Sequence, residues 1–232
     1  MSVFSMPNVG LGRCRPLLSL EQLQAETSIG TLHGAGVKRL VDVVLASLAL
    51  VALSPLFVVL AVLVKLDGGS VFFRQRRVGK DGVEFWFYKF RSMVVDAEAR
   101  RVGLVSRNEH GRLGVTFKLK NDPRITKVGR FLRKTNLDEL PQFWNVLRGD
   151  MSLVGPRPAL PSEVARYSAE ERQRLSVLPG LTCLWQVKGR ADLPFDKQVA
   201  LDLEYIAHRT LWLDLSLLFQ TVPAMLSGRG AY

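Results

Sequence analysis

Residues 43–64 read VVLASLALVALSPLFVVLAVLV, twenty-two residues without a charge. About twenty apolar residues suffice to span a bilayer as a helix, so a plain transmembrane helix is one reading. Ser54-Pro55 in the middle argues for another. Proline removes a backbone donor and kinks a helix, and Ser54 can hydrogen-bond a carbonyl that the kink frees. The flanks agree. Lys38 and Arg39 precede the segment, and Lys65, Arg74, Arg76 and Arg77 follow it. Positive residues favour the cytoplasmic side, so cations on both flanks fit a helix that enters and leaves by one face. The expected layout is a flexible extension over 1–36, a re-entrant helix–break–helix over 37–66 broken at Ser54-Pro55, and a compact domain over 67–232. Within the extension, Ser19 can cap a short helix reaching Ala25.

Composition narrows the class. The chain has 232 residues, enough for one ordinary domain plus a membrane segment. Lys and Arg number 32 against 21 acids, a formal charge of +11, and the pI is near 10.1. Such a surplus suits a polyanion: nucleic acid, anionic lipid or a phosphorylated substrate. The 47% hydrophobic content favours a membrane-associated protein over a nucleic-acid binder. Cys14 and Cys183 form no framework, which fits a reducing cytoplasm. His33, His110 and His208 are too scattered for a zinc motif, and residues 1–36 hold no secretory signal core.

Downstream, the pattern predicts a helix-rich α/β (α+β) domain with a small β-hairpin. Val71–Arg77 and Val83–Met93 read as its strands, joined by Lys80-Asp81-Gly82. In the second strand Trp86, Tyr88 and Phe90 alternate with Phe87, Lys89 and Arg91, an aromatic face against one that becomes cationic. Val94–Arg101 reads as a helix and Gly103–Gly114 as a mobile loop. Thr126 can cap a helix over Lys127–Lys134, on which Lys127, Arg130 and Arg133 recur every three residues. Further helices are expected over Asp138–Leu147, with Pro141 near its first turn, over Pro161–Leu175 and, with interruptions, over Phe195–Leu226. Thr182–Val187 reads as a short strand. Leu211–Phe219 is apolar and suits an amphipathic helix lying in the membrane interface.

Three acidic sites are candidates for chemistry. Asp96 and Glu98 fit the first turn of a helix, where they complement its dipole. Asp150 fits a turn or cap. Asp138-Glu139 is an ordinary N-cap by pattern, yet Arg130, Arg133 and Lys134 lie just upstream and Arg157 follows within Gly155-Pro156-Arg157-Pro158. Arginine binds phosphate oxygens bidentately, and Pro156 and Pro158 stiffen the loop that carries it. Cations fixed around carboxylates are what phosphoryl chemistry needs. Adjacent helical side chains diverge by about 100°, so the two acids serve different roles. No P-loop, GxGxxG or HExxH occurs.

From Lys38 onward the chain resembles the bacterial sugar transferases, the monotopic phosphoglycosyl transferases. The resemblance rests on KRLVD, Ser54-Pro55, YKFRSM (88–93), NDPRITKVGRFLRKTNLDELPQFWNVLRGDMSLVGPRP (121–158), LPGLTCLWQVKGR (178–190) and the closing GRGA. It implies transfer of a sugar 1-phosphate from a nucleoside diphosphate sugar, usually a UDP-sugar, to a polyprenyl phosphate such as undecaprenyl phosphate, with release of UMP. It implies Asp138 as a nucleophile forming a covalent phosphosugar, and Glu139 as its partner in metal binding or acceptor deprotonation. Mg²⁺ is the implied cofactor, held by Asp138 and Glu139. Arg133 and Arg157 match phosphate-binding positions; Lys89, Arg91, Arg130, Pro156 and Pro158 complete the expected substrate-binding set. The implied place is the cytoplasmic face of the bacterial inner membrane, the implied role the start of exopolysaccharide or glycoconjugate synthesis. The expected partners are the sugar nucleotide, the lipid phosphate and the bilayer, not nucleic acid; a homodimer is compatible with the chain. Cys183 departs from the family's usual glycine. The competing class is a non-catalytic basic protein docked on anionic lipid, which explains charge and apolarity but not an acid pair beside a stiffened arginine.

Overall fold

The computed structural model describes residues 20–101, 103–104, 119, 121–189 and 193–226. The chain divides into two units, Met1–Gly36 and Val37–Tyr232. Helix α1 runs over Leu20–Ala52, so the helix expected to end at Ala25 continues unbroken and Leu20–Gly36 is helical, not irregular. The run LEQLQAET is rich in good helix formers, and the apolar segment prolongs the helix it starts.

Helix α2, Ser54–Leu66, follows a break at Leu53, and the pair is bent by 63°. The cause is local. Pro55 cannot donate to the Val51 carbonyl, and Ser54 Oγ donates to that oxygen instead at 2.8 Å. Among the described residues no single helix is long and apolar enough to cross a membrane; the bent pair passes by length and composition. Leu40, Val44, Leu48 and Val51 line the outer side of α1, and Val58, Val59, Val62 and Leu66 that of α2, all exposed.

The hairpin forms as its turn chemistry predicts. Strands β1 (Phe72–Val78) and β2 (Glu84–Phe90) pair antiparallel, with Arg76 opposite Trp86. Asp81 takes φ 56 in the connecting turn. Trp86 stays partly exposed, with the Arg74 and Arg76 guanidinium carbons 5.0 and 4.4 Å from its ring. The expected all-aromatic face does not persist: Phe90 is fully buried against Leu60, Val64 and Leu132, while Phe85 and Phe87 enter a different core with Val146, Met151 and Leu217. Helices pack on both sides of this short sheet, so simple alternation of buried and exposed faces fails.

The remaining elements are α3 (Ala97–Arg101), α4 (Lys127–Thr135), α5 (Gln142–Arg148), β3 (Ser152–Val154), α6 (Pro161–Val164), α7 (Ala169–Arg172), β4 (Gly180–Thr182), α8 (Leu184–Lys188), α9 (Phe195–His208) and α10 (Leu211–Leu226). Three expectations are corrected. Asp138–Leu147 is not one helix: a 3-10 turn over Leu137–Glu139 precedes α5, with Pro141 between them. The charged helix expected over Pro161–Leu175 breaks after α6, where Ser168 caps α7 with a reciprocal Ser168–Glu171 capping box. The strand is shorter and earlier, Gly180–Thr182, and Leu184–Lys188 is helical. Most of the loop expected over Gly103–Gly114 lies outside the described residues, as do Arg190 and the closing GRGA.

Strands β3 and β4 are parallel, Ser152 opposite Gly180 and Val154 opposite Thr182. Around them sits a polar knot. Lys38 Nζ is 2.5 Å from Asp214 Oδ2 and donates to the Val154 carbonyl at 3.3 Å. Tyr205 Oη donates to Asp214 Oδ1 at 2.7 Å and reaches the same Val154 carbonyl at 3.1 Å. Asp42 accepts the Leu153 amide at 3.2 Å. Arg39 donates to the Val146 and Leu147 carbonyls at the end of α5. The cationic flank of the apolar segment is therefore structural: KRLVD ties α1 to α5, β3 and α10. Tyr205→Phe removes the hydroxyl that donates to buried Asp214, leaving Lys38 as its remaining partner here, an expected loss of about 1–3 kcal/mol. Thermal unfolding of the detergent-solubilised protein checks this, and an unchanged midpoint refutes it.

Candidate active site

The acids sit where α4 ends. Thr126 Oγ1 accepts the Gly129 amide at 2.9 Å, the expected cap, and Asn136 closes the helix in the left-handed region at φ 53, a conformation asparagine tolerates. The chain then turns through Leu137, Asp138 and Glu139 before α5 begins at Gln142 without a side-chain cap. Asp138 is thus no N-cap of α5. It is buried at 5% exposure, in a turn packed on β2. A buried carboxylate off the cap position needs another explanation, and its neighbours supply one.

Lys89, Arg133, Arg77 and Arg157 lie within electrostatic reach of the acid turn. Asp138 acts on Lys89 and Arg133, and Glu139 on Lys89, Arg77, Arg133 and Arg157. Burial and the adjacent Asp138 push the Glu139 carboxyl above its ordinary range, against the pull of Lys89, Arg157 and Arg77. Burial draws the Lys89 ammonium down to about 8, with Asp138 opposing and Arg133 assisting. Burial, then Arg157, bring the Arg77 guanidinium to about 10. Two acids and four cations share one partly dry site, an arrangement that favours a bound anion.

Backbone geometry holds each member. Asn145, fully buried, donates to the Trp86 carbonyl at 2.7 Å and accepts the Tyr88 amide at 3.2 Å, acting as a strand partner that clamps α5 to β2 beside Lys89. It also donates to Asp150 at 3.1 Å, which makes Asp150 the turn residue expected. Gly129 lets α4 approach closely, since a Cβ there would meet the Ser92 oxygen at 1.9 Å. One turn later Arg133 Nε donates to Ser92 Oγ at 3.1 Å. The Gly155–Pro158 loop is pinned throughout. The Gly155 amide donates to Thr182 at 3.0 Å, the Gly180 amide to Pro156 at 2.9 Å, Arg77 Nη1 to Pro158 at 2.9 Å, and the Val78 amide to Ala159 at 2.9 Å. Pro156 and Pro158 are buried while Arg157 projects exposed.

Two expected members stand elsewhere. Arg91 is buried and donates to the Val64 carbonyl at 2.9 Å, closing the end of α2. Arg130 is exposed on α4. Each step of three residues turns a helix by about 60°, so Arg133 reaches the acids while Lys127 and Arg130 remain outside. Sequence reading missed Arg77, Asn145 and Ser92. Arg77 looked like a flank charge of the apolar segment, and only the bridge between Val78 and Ala159 brings it to the site. Cys183 fits its position without strain: it takes extended φ −148 before α8, where glycine is not required, and its buried Sγ donates to Gln186 at 3.2 Å.

Lys89 makes the site pH-sensitive. Its charge is present below about pH 8 and lost as pH rises through that value. If it binds a substrate anion, kcat/KM of the free enzyme falls over that interval, and Lys89→Arg, charged throughout, removes the fall. A pH–rate profile with the same limb in both proteins rules the assignment out.

The family described as Bacterial sugar transferase matches residues 33–228. The chain is 46% identical over 200 residues to the UDP-galactose-lipid carrier transferase of Erwinia amylovora, covering 84% of this chain and 41% of that protein. It is 44% identical over 212 residues to the undecaprenyl-phosphate galactose phosphotransferase of Salmonella typhimurium, covering 90% of this chain and 44% of that one. It is 44% identical over 202 residues to the exopolysaccharide production protein ExoY of Rhizobium meliloti, covering 86% and 89%. The chain thus spans less than half of the first two and most of the third.

Proposed function

The chain belongs to the bacterial sugar transferase family, and we propose that it moves a sugar 1-phosphate from a UDP-sugar to a polyprenyl phosphate, undecaprenyl phosphate being the carrier named for a relative. The supporting observation is the Asp138–Glu139 turn, with Asp138 buried and the charges of Lys89, Arg77, Arg133 and Arg157 acting on the acids. An anion entering there meets offsetting charge on several sides, so a carboxylate can approach phosphorus without prohibitive repulsion.

In the first displacement an Asp138 carboxylate oxygen attacks the phosphorus that carries the sugar. The P–O bond to the nucleotide phosphate breaks, and its electron pair leaves on UMP. An aspartyl phosphosugar remains. In the second, an oxygen of the polyprenyl phosphate attacks the same phosphorus, the aspartyl bond breaks, and the carboxylate is restored. Glu139, with its raised pKa, is suited to hold a proton released by the incoming lipid phosphate. Arg157, exposed on its pinned loop, binds the phosphate oxygens, and Lys89 and Arg133 hold the opposite side.

Mg²⁺ fits this donor set in one way. Among the described residues no three metal-ligating side chains cluster, so Asp138 and Glu139 would hold the ion, substrate phosphate and water completing its shell, as Mg²⁺ commonly requires. Bound there, it would neutralise phosphate charge. The bent α1–α2 pair acts as a re-entrant anchor in the cytoplasmic leaflet, and Trp212 on α10, 80% exposed, lies at its interface. The site then stands where a lipid phosphate and a soluble sugar nucleotide meet, as the start of exopolysaccharide synthesis demands.

The test is UMP release from a panel of UDP-sugars by purified protein with undecaprenyl phosphate. Asp138→Asn is expected to lower turnover by roughly a thousandfold or more while the protein remains in the membrane fraction. It should also lose the label that a radioactive sugar donor leaves on wild-type protein. An active Asp138→Asn protein refutes the nucleophile. For the anchor, with Cys14 and Cys183 replaced, single cysteines introduced before residue 38 and after residue 66 are expected to label from the same side of the membrane. Labelling from opposite sides establishes a crossing instead.

A further inference from the structure

Gln142 opens α5 one turn beyond the acids. Between Leu137 and Trp144 the backbone bonds reach back three residues: the Glu139 amide donates to Asn136, Leu140 to Leu137, Phe143 to Leu140 and Trp144 to Pro141. Leu140 and Pro141 keep right-handed helical dihedrals between the two elements. Winding of that kind sets residues three apart over one another, so Gln142 stands over Glu139, with Asp138 four residues before it. Side chains at such spacings have β carbons about 5–6 Å apart. One turn further on, Asn145 bonds β2 through the Trp86 carbonyl and the Tyr88 amide, and the acid turn itself packs on β2. Gln142 lies between these two contacts and is 2% exposed. Its Nε2 has no hydrogen-bond partner among the described residues. Neither has Nε of buried Arg77, whose terminal nitrogens bond Pro158 and Gln75.

A buried amide donor without an acceptor is unfavourable and rare in folded proteins. Methionine or leucine would fill the same space without that cost. We propose that Gln142 is a further catalytic residue, whose Nε2–H donates to a phosphoryl oxygen of the sugar phosphate as that group bonds to Asp138. The inference rests on the transfer proposed above. The cations of the site attract phosphate, but they also attract the Asp138 carboxylate and so weaken it as a nucleophile. A neutral amide offsets charge on the phosphoryl oxygens without that ionic pull. Its acceptor arrives only as phosphorus closes on Asp138, one turn away, so the contact lowers the barrier and does not tighten substrate binding. No proton changes hands. The bonds formed and broken are those of the two displacements, and the amide keeps both its hydrogens.

The experiment measures turnover and thermal unfolding of the full chain in detergent for Gln142→Met, which keeps the side chain's bulk and removes the donor. With a UDP-sugar and undecaprenyl phosphate, kcat is expected to fall roughly tenfold or more at unchanged KM. The label from a radioactive sugar donor is expected to appear on the protein correspondingly more slowly. The unfolding midpoint is expected to stay or rise, because an unmatched donor has been removed. Undiminished kcat in this variant overturns the assignment and leaves the transfer reaction standing. A midpoint that falls together with kcat makes Gln142 a second clamp on β2 and overturns the assignment as well. Should Gln142→Met fail to fold, Gln142→Asn decides: its amide stops one carbon short, so the same loss of kcat is expected, and an undiminished kcat overturns the proposal. Absence of UMP release from wild type with every donor overturns the transfer reaction and this inference together.

Discussion

The Val154 carbonyl, gripped by Lys38 from α1 and Tyr205 from α9, is the point on which the arrangement turns. Asp214 of α10 joins both donors, and Asp42 takes the neighbouring Leu153 amide. Burying four polar side chains is costly unless each is matched. Here the matching draws three helices onto one short strand. The Gly155–Pro158 loop leaves that strand at once, so Arg157 stands three residues beyond the carbonyl that Lys38 of the apolar helix holds by a hydrogen bond. Arg157 is thereby tied to the apolar helix through hydrogen-bonded backbone and not through a flexible joint.

The same economy appears on the other side of the acids. Arg91 closes the end of α2 through Val64, and Lys89, two residues earlier on β2, faces the acid turn. Asn145 fastens that strand to α5. The hairpin thus carries one cation bonded to backbone and one acting on the acids, and β1 adds Arg77, which holds the loop through Pro158. The charges around the acid turn are placed by backbone contacts of neighbouring elements, which is how a cluster on turns acquires the precision of one on rigid elements.

Much of this was legible in the residues. Ser54-Pro55 marked the break because proline's missing donor has a local consequence. Asp81-Gly82 marked the hairpin, and Thr126 its helix. Asp138, Glu139, Arg133, Arg157 and Lys89 lie within electrostatic reach of one another, and the acids and two of the arginines fall within thirty residues of sequence. What failed depended on distant partners. Arg77 and Arg91 were read from their place in the chain, yet one bonds Pro158 and the other Val64. Local pattern also overextended the helices at 138–147 and 161–175, where tertiary packing and Pro141 favour shorter turns. Thr182–Val187 looked extended by its residue types, but Leu184 and Trp185 are buried in helix α8.

At Gly155 and Gly180 the two parallel strands touch backbone to backbone: a Cβ on Gly180 would lie 2.0 Å from the Gly155 nitrogen, and one on Gly155 would lie 2.4 Å from the Leu178 oxygen. The floor beneath Arg157 therefore has no side chain that mutation could exchange. Substitution at either glycine would push this loop off its neighbour. Room to vary lies at the rim, while the course of the loop that carries Arg157 is fixed by backbone packing.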